Sequence, residues 1–232
     1  MKTYYSNINN FKDSTQEMAT AGFEERYASY LAHISDMRKK RLLGFKNEDD
    51  RLRSMAGTLL LTDILKKYSQ VDVQDGSCPD LTNIVFPLNI ESEESGKPYL
   101  PDAPNILFSI SHSGSYAAVV VAGSKECSRI GIDIQAKDRK DILKIAKRFY
   151  TEFENDLIAG AGSDFQKEDL FYQIWSAKEA FIKCDGKGLS YGMSNFNADI
   201  VRDVITDLDG NILARLEKQV CPEGYTCYVC RQ

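Results

Sequence analysis

The sequence predicts an α+β fold, and three observations carry that prediction. Glu48 to Tyr68 places Leu52, Met55, Ala56, Leu59 and Leu60 at the i, i+3, i+4 spacing of an amphipathic helix. Ile106, Phe108 and Ile110 alternate with Leu107, Ser109 and Ser111, and the apolar run Tyr116 to Ala122 follows across Ser-Gly-Ser, as in two hairpin strands. No internal repeat or low-complexity tract breaks this mixture, which suits helices packed on small antiparallel sheets.

The remaining elements follow in order along the chain. Met1 to Phe11 mixes Lys, Ser and Asn with Tyr and lacks the charged start and apolar stretch of an export signal. Gln70 to Lys97 is the loosest region, where Asp, Ser, Glu, Gly and Pro gather around a short apolar patch. Arg129 to Gln135 reads as a third strand. A helix is expected from about Asp141 into the Phe149 region, and another from about Lys167 to Lys183, ended by Gly186 and Gly188. Asp209-Gly210 marks a turn between the last strands.

At 232 residues, 43% hydrophobic and 27% charged, the chain can bury one good core or two small ones. Its net charge of -5 works against general adhesion to nucleic acid or anionic lipid. The apolar run Tyr116 to Ala122 is far short of the roughly 20 residues that cross a bilayer. A soluble, cytoplasmic protein is therefore expected, with no nucleic-acid or membrane partner. Its six cysteines (78, 127, 184, 221, 227 and 230) are expected as reduced thiols. Cys227 and Cys230 form a C-x-x-C on a β-type segment, Tyr225 to Arg231, where residues three apart point to opposite faces. The only histidines, His33 and His112, are distant in sequence, so no zinc set is evident.

Two segments can carry chemistry. In Arg129-Ile-Gly-Ile-Asp-Ile-Gln135, the isoleucines share one strand face and leave Gly131, Asp133 and Gln135 on the other. Two oxygen donors then project side by side, and a carboxylate flanked by isoleucines needs a partner, either a cation or hydrogen bonds. In Trp175-Ser-Ala-Lys-Glu-Ala-Phe-Ile-Lys-Cys-Asp-Gly-Lys-Gly-Leu189, Glu179 and Lys183 lie four apart on one helical face, running into a glycine loop. Taken singly, Asp133 is a metal ligand or a structural carboxylate. Glu179 and Lys183 are a site pair or a surface ion pair, and Gly186-Lys-Gly188 is a phosphate loop or a helix stop.

Taken together, these strings, with Gly96-Lys-Pro98 and Ser109-Ile-Ser-His-Ser113 upstream, resemble the ordered motifs of the surfactin-type 4'-phosphopantetheinyl transferases. The resemblance spans roughly Ser35 to Leu189 and, weakly, the C-terminal strands. It implies two similar lobes of small antiparallel sheets packed by helices, related by a pseudo-twofold axis with coenzyme A between them. The lobes would be residues 1–123, with the coenzyme A phosphate contacts, and 124–232, with the metal ligands and the Trp175 to Lys183 helix.

The implied reaction moves the phosphopantetheine arm of coenzyme A to a serine of an apo acyl- or peptidyl-carrier protein, with Mg²⁺ or in its place Mn²⁺, and a monomer is expected. The resemblance assigns Asp133, Gln135 and Glu179 to the metal. Lys183 falls to a phosphate, and Arg38, Arg41, Arg53, Lys97, Ser111, His112 and Lys178 to coenzyme A. The family's base maps onto Glu154, with Glu152 as competitor.

The family's second metal position is often Glu, and here Gln135 removes one negative charge from the site. That neutral residue leaves open a competing class, a binding module that holds coenzyme A without turnover. Nucleic-acid binding through Arg38 to Arg41 is disfavoured by the acidic total.

Overall fold

The computed structural model describes residues 2–15, 20–69, 81, 84–188 and 192–232. Cys78, Leu189 and most of the residues between Gln70 and Ile84 lie outside the described residues. The chain divides into two compact units, Met1–Glu93 with Pro98–Glu126, and Glu94–Lys97 with Cys127–Gln232.

In the first unit, strand β1 (Thr3–Asn7) precedes short helices α1 (Asn9–Ser14), α2 (Phe23–Arg26), α3 (Ala28–Leu31) and α4 (Asp36–Leu43). The long helix α5 (Glu48–Ser69) follows, starting where the apolar periodicity does and opening on Glu48, Asp49 and Asp50, whose charges suit a helix N-terminus. Leu52, Met55 and Ala56 are buried as the pattern required, and Leu59 and Leu60 only partly. A two-stranded ribbon, β2 (Glu91–Ser92) with β3 (Pro98–Tyr99), leads to the hairpin β4 (Ile106–Ser113) and β5 (Tyr116–Gly123). These last two join β1 in a three-stranded antiparallel sheet, with β5 central and nearly all buried. Gly57 of α5 faces this sheet, so close that a Cβ there would lie 2.7 Å from the Ile110 Cγ2 methyl.

The second unit begins with β6 (Ile130–Ala136), then α6 (Ile142–Phe149), α7 (Glu152–Ala159) and the 22-residue α8 (Asp164–Asp185). It ends with β7 (Asn197–Asp199), β8 (Val204–Thr206), β9 (Ile212–Lys218) and β10 (Tyr225–Arg231). Its five-stranded antiparallel sheet runs β6-β10-β9-β8-β7, and α8 packs on β6 and β10 through a core that includes Phe171, Tyr172, Trp175 and Phe181. Each aromatic ring so buried contributes on the order of 2 kcal/mol of apolar transfer. Helix α8 stops at Gly186, which takes the left-handed conformation (φ 81°) that favours glycine. Gly210 (φ 90°) turns the chain between β8 and β9, with Asp207 accepting from the Asp209 and Asn211 amides.

The cysteines follow the strand geometry. Cys227 pairs in register with Ile134 and Cys230 with Gly131, so the C-x-x-C thiols leave the sheet on opposite faces. Cys230 meets the Cys184 thiol of α8, and all five described cysteines are free thiols. No described helix is long and apolar enough to cross a membrane.

Candidate active site

Gly131 sets the geometry of the second unit's chemistry. A Cβ at this position would collide with the Ala180 carbonyl and the Cys184 amide, so only glycine lets β6 lie against the α8 backbone. Asp133 and Gln135 share that strand face. On α8 the matching residues are Ser176, Glu179, Ala180, Lys183 and Cys184, at helical spacing. Ser176 Oγ donates to the Asp133 carbonyl (2.9 Å), fixing the register of strand against helix. The partner demanded by a carboxylate between isoleucines is Lys183, whose Nζ lies 2.7 Å from Asp133 Oδ1.

Glu179 faces the same place. Burial first, and the Asp133 charge second, push its carboxyl upward from its ordinary value, while Lys183 and Arg139 pull it down. The third oxygen of the face, Gln135 Oε1, accepts from Arg139 Nη2 at 3.4 Å, while Gln135 Nε2 donates to the Ala136 carbonyl. Arg139 also stacks over Trp175, 4.2 Å from the ring centroid. Sequence reasoning missed this arginine, although Trp175 and Glu179 at i, i+4 spacing mark where a cation following the strand would settle. Among the described residues, no group of three or more His, Cys, Asp and Glu is placed to hold a metal ion, and the face offers two carboxylates and an amide instead.

Two residues expected at the site are buried. Glu154 is fully buried and closes the capping box of α7, accepting from the Thr151 amide (2.9 Å) and, through its other oxygen, from the Ala198 amide (2.7 Å). That second oxygen also lies 2.6 Å from Lys178 Nζ, which in turn donates to the Phe196 carbonyl (2.5 Å). Both side chains of this pair are fully buried. Glu154 is therefore not exposed to a carrier serine, and Lys178 not to a coenzyme; together they pin α7, α8 and β7. Burial brings the Lys178 ammonium down to about 8 against the pull of Glu154. Glu152, two residues earlier, is exposed.

Lys97 belongs to the second unit, where its Nζ donates to the carbonyls of Ile130 (3.1 Å) and Cys184 (2.7 Å). It thus braces the start of β6 and the C-terminal end of α8, where a cation is favoured.

In the first unit, Arg38 and Arg41 line a cavity of about 290 Å³ with Met37, Ile90, Glu91 and Ser92. Arg38 Nη2 donates to Thr58 Oγ1 and Arg41 Nη1 to Ser92 Oγ, each at 3.3 Å. Neither arginine has an ion pair among the described residues. Burial first, and the Arg41 charge second, bring the Arg38 guanidinium down to about 10. Arg53 is held apart from this pocket by Asp50 (2.6 Å) and by the Gly114 carbonyl of the β4–β5 turn (2.8 Å). Ser111 is buried opposite Ala118, and His112 beside it is exposed.

Two family models match the chain. One described as 4'-phosphopantetheinyl transferase, N-terminal, covers residues 21–126, and one described as the 4'-phosphopantetheinyl transferase superfamily covers residues 129–230. The 4'-phosphopantetheinyl transferase Sfp of Bacillus subtilis (strain 168) is 31% identical over 210 residues, 89% of this chain and 86% of that protein. Another 4'-phosphopantetheinyl transferase of Bacillus subtilis is 33% identical over 215 residues, 91% of this chain and 86% of its own. A holo-(acyl-carrier-protein) synthase structure from Bacillus anthracis str. Ames is 19% identical over 45% of this chain and 94% of that chain, with a TM-score of 0.33. On the sequence relatives, the chain belongs to the surfactin-type 4'-phosphopantetheinyl transferase family.

Proposed function

We propose that the chain transfers the 4'-phosphopantetheine arm of coenzyme A to a serine of an apo acyl- or peptidyl-carrier protein, with Asp133, Gln135 and Glu179 holding Mg²⁺. The observation that carries this reading is the convergence of Asp133, Glu179 and Lys183 across β6 and α8. The donor set fits a hard cation: two carboxylates close enough for one to disfavour ionisation of the other, beside an amide oxygen. Bound there with the coenzyme's pyrophosphate, the ion would supply charge neutralisation for the leaving group. For Gln135 Oε1 to act as a ligand, it must turn from Arg139.

The serine Oγ attacks the β-phosphorus, the bond from that phosphorus to the bridging oxygen breaks, and 3',5'-ADP leaves with the bonding pair. Lys183, on α8 and already at the site, places a positive charge near the pyrophosphate oxygens. Arg38 and Arg41 hold the 3'-phosphate, a role supported by the cavity they share and by the absence of an ion pair to either among the described residues. The serine proton passes to water or to Glu152, the exposed carboxylate of the segment in which Glu154 is sealed.

Intact-mass analysis of several apo carrier proteins after incubation with coenzyme A, Mg²⁺ and this protein tests the reading. A phosphopantetheine mass addition that disappears without Mg²⁺ is expected. No addition to any carrier, with coenzyme A bound, would point instead to a module that holds the coenzyme without turnover.

A further inference from the structure

Arg139 is a charged residue that the reaction above leaves unused. It lies between β6 and α6, and three contacts set its place. Its backbone N–H donates to the Tyr172 hydroxyl (2.6 Å). Its guanidinium lies 4.2 Å from the Trp175 ring centroid, within the range of a cation–π contact. Its Nη2 reaches Gln135 Oε1 at 3.4 Å. Trp175 and Glu179 are one turn apart on α8, so a cation seated on the indole stands beside the carboxylate, and the Arg139 charge does act on Glu179.

Resting on the metal reading above, we propose that Arg139 is a second resident cation of this face, on Gln135 and Glu179 as Lys183 is on Asp133. In the coenzyme-free protein it occupies the amide oxygen of Gln135 and shields Glu179, so that a divalent ion must displace it to bind. A guanidinium and a divalent ion compete for the same oxygen donors and repel each other at short range. The planar guanidinium can slide along the indole without leaving it, which makes displacement local. Arg139 is thus a positioning residue that keeps the empty site near neutral and raises the threshold for metal entry.

Mn²⁺ titrated into the coenzyme-free protein, followed by the magnetic resonance signal of the free ion, tests this. Arg139→Met should tighten Mn²⁺ binding by roughly three- to tenfold, because a repelling charge and a competing donor are removed together. Arg139→Lys keeps the charge and should stay nearer wild type. Asp133→Asn serves as the reference, with at least a tenfold loss expected on the order of one removed charged ligand. If Asp133→Asn leaves Mn²⁺ affinity unchanged, the metal reading falls and this inference with it. If Asp133→Asn loses the ion while Arg139→Met binds it no better than wild type, the metal reading stands and the resident cation is overturned. Arg139 is exposed, and circular dichroism of each variant verifies the fold.

Discussion

In the first unit, the glycine that lets helix and sheet approach sits on the helix, as Gly57 of α5 against the Ile110 side chain; in the second it sits on the strand, as Gly131 of β6 against the backbone of α8. The consequences differ because a side-chain tip can move and a helix backbone cannot. With the glycine on the strand, the next two residues of that face, Asp133 and Gln135, follow it along the polar side of α8. The central strand of the first unit's sheet, β5, is apolar, and the arginines that line that unit's cavity, Arg38 and Arg41, lie elsewhere, on α4. The first unit thus sets two arginines in a cavity without an ion pair among the described residues, and the second sets carboxylates beside their cations on a strand and a helix, though both rest a 22-residue helix on an antiparallel sheet.

The largest expected effect tests this contrast directly. Gly131→Ala should cost about 4 kcal/mol or more, or prevent folding, since neither Ala180 nor Cys184 can withdraw its backbone. Gly57→Ala should cost less, about 1–3 kcal/mol, because the clash is with one Ile110 methyl and not with backbone, and the helix propensity it gains offsets part of it. Urea unfolding of both variants measures the difference, and equal losses would remove the distinction.

The buried pair that pins α7, α8 and β7 comes next. Lys178→Met leaves Glu154 buried without its cation and should cost about 3–5 kcal/mol. The pair also has a pH signature. The folded value of Lys178 lies at about 8, below the ordinary 10.5, so between those values the unfolded chain binds more protons and this group's contribution to stability rises with pH. Urea midpoints measured across that window should show the rise in wild type and lose it in the Lys178→Met, Glu154→Gln double variant.

On the acidic face, Asp133→Ala or Glu179→Ala should reduce transfer on the order of 10²–10³-fold with circular dichroism unchanged. Near-wild-type turnover in either, followed by carrier mass, would take that residue out of the metal set. The smallest effect concerns the basic pocket: dephospho-coenzyme A should bind about 1.5–3 kcal/mol more weakly than coenzyme A, and Arg38→Ala should shrink the gap. Isothermal titration with both coenzymes gives the comparison, and equal affinities would detach Arg38 and Arg41 from the 3'-phosphate.

Much of this molecule was legible in its sequence, for physical reasons that act locally. Apolar spacing from Leu52 to Leu60 foretold α5, alternation from Ile106 to Ile110 foretold β4, and strand parity alone put Asp133 and Gln135 on one face and the C-x-x-C thiols on opposite ones. The ordered motifs pointed to the family that the relatives then established. Tertiary structure alone decided which charges meet. Glu154 reads in sequence as one more acid near a motif, yet three donors from three elements seal it, and its neighbour two positions earlier stays in water. Lys183 lies four residues from Glu179, yet its closest ion pair is with Asp133 on a strand fifty residues earlier. Arg139 carries no motif and finds its place from the Tyr172 hydroxyl, the Trp175 ring and the Gln135 amide oxygen that packing brings to it. Periodicity is a property of neighbours along the chain; a charge takes its partner from whatever the packing brings within a few ångströms, and in this protein that packing turns on Gly131.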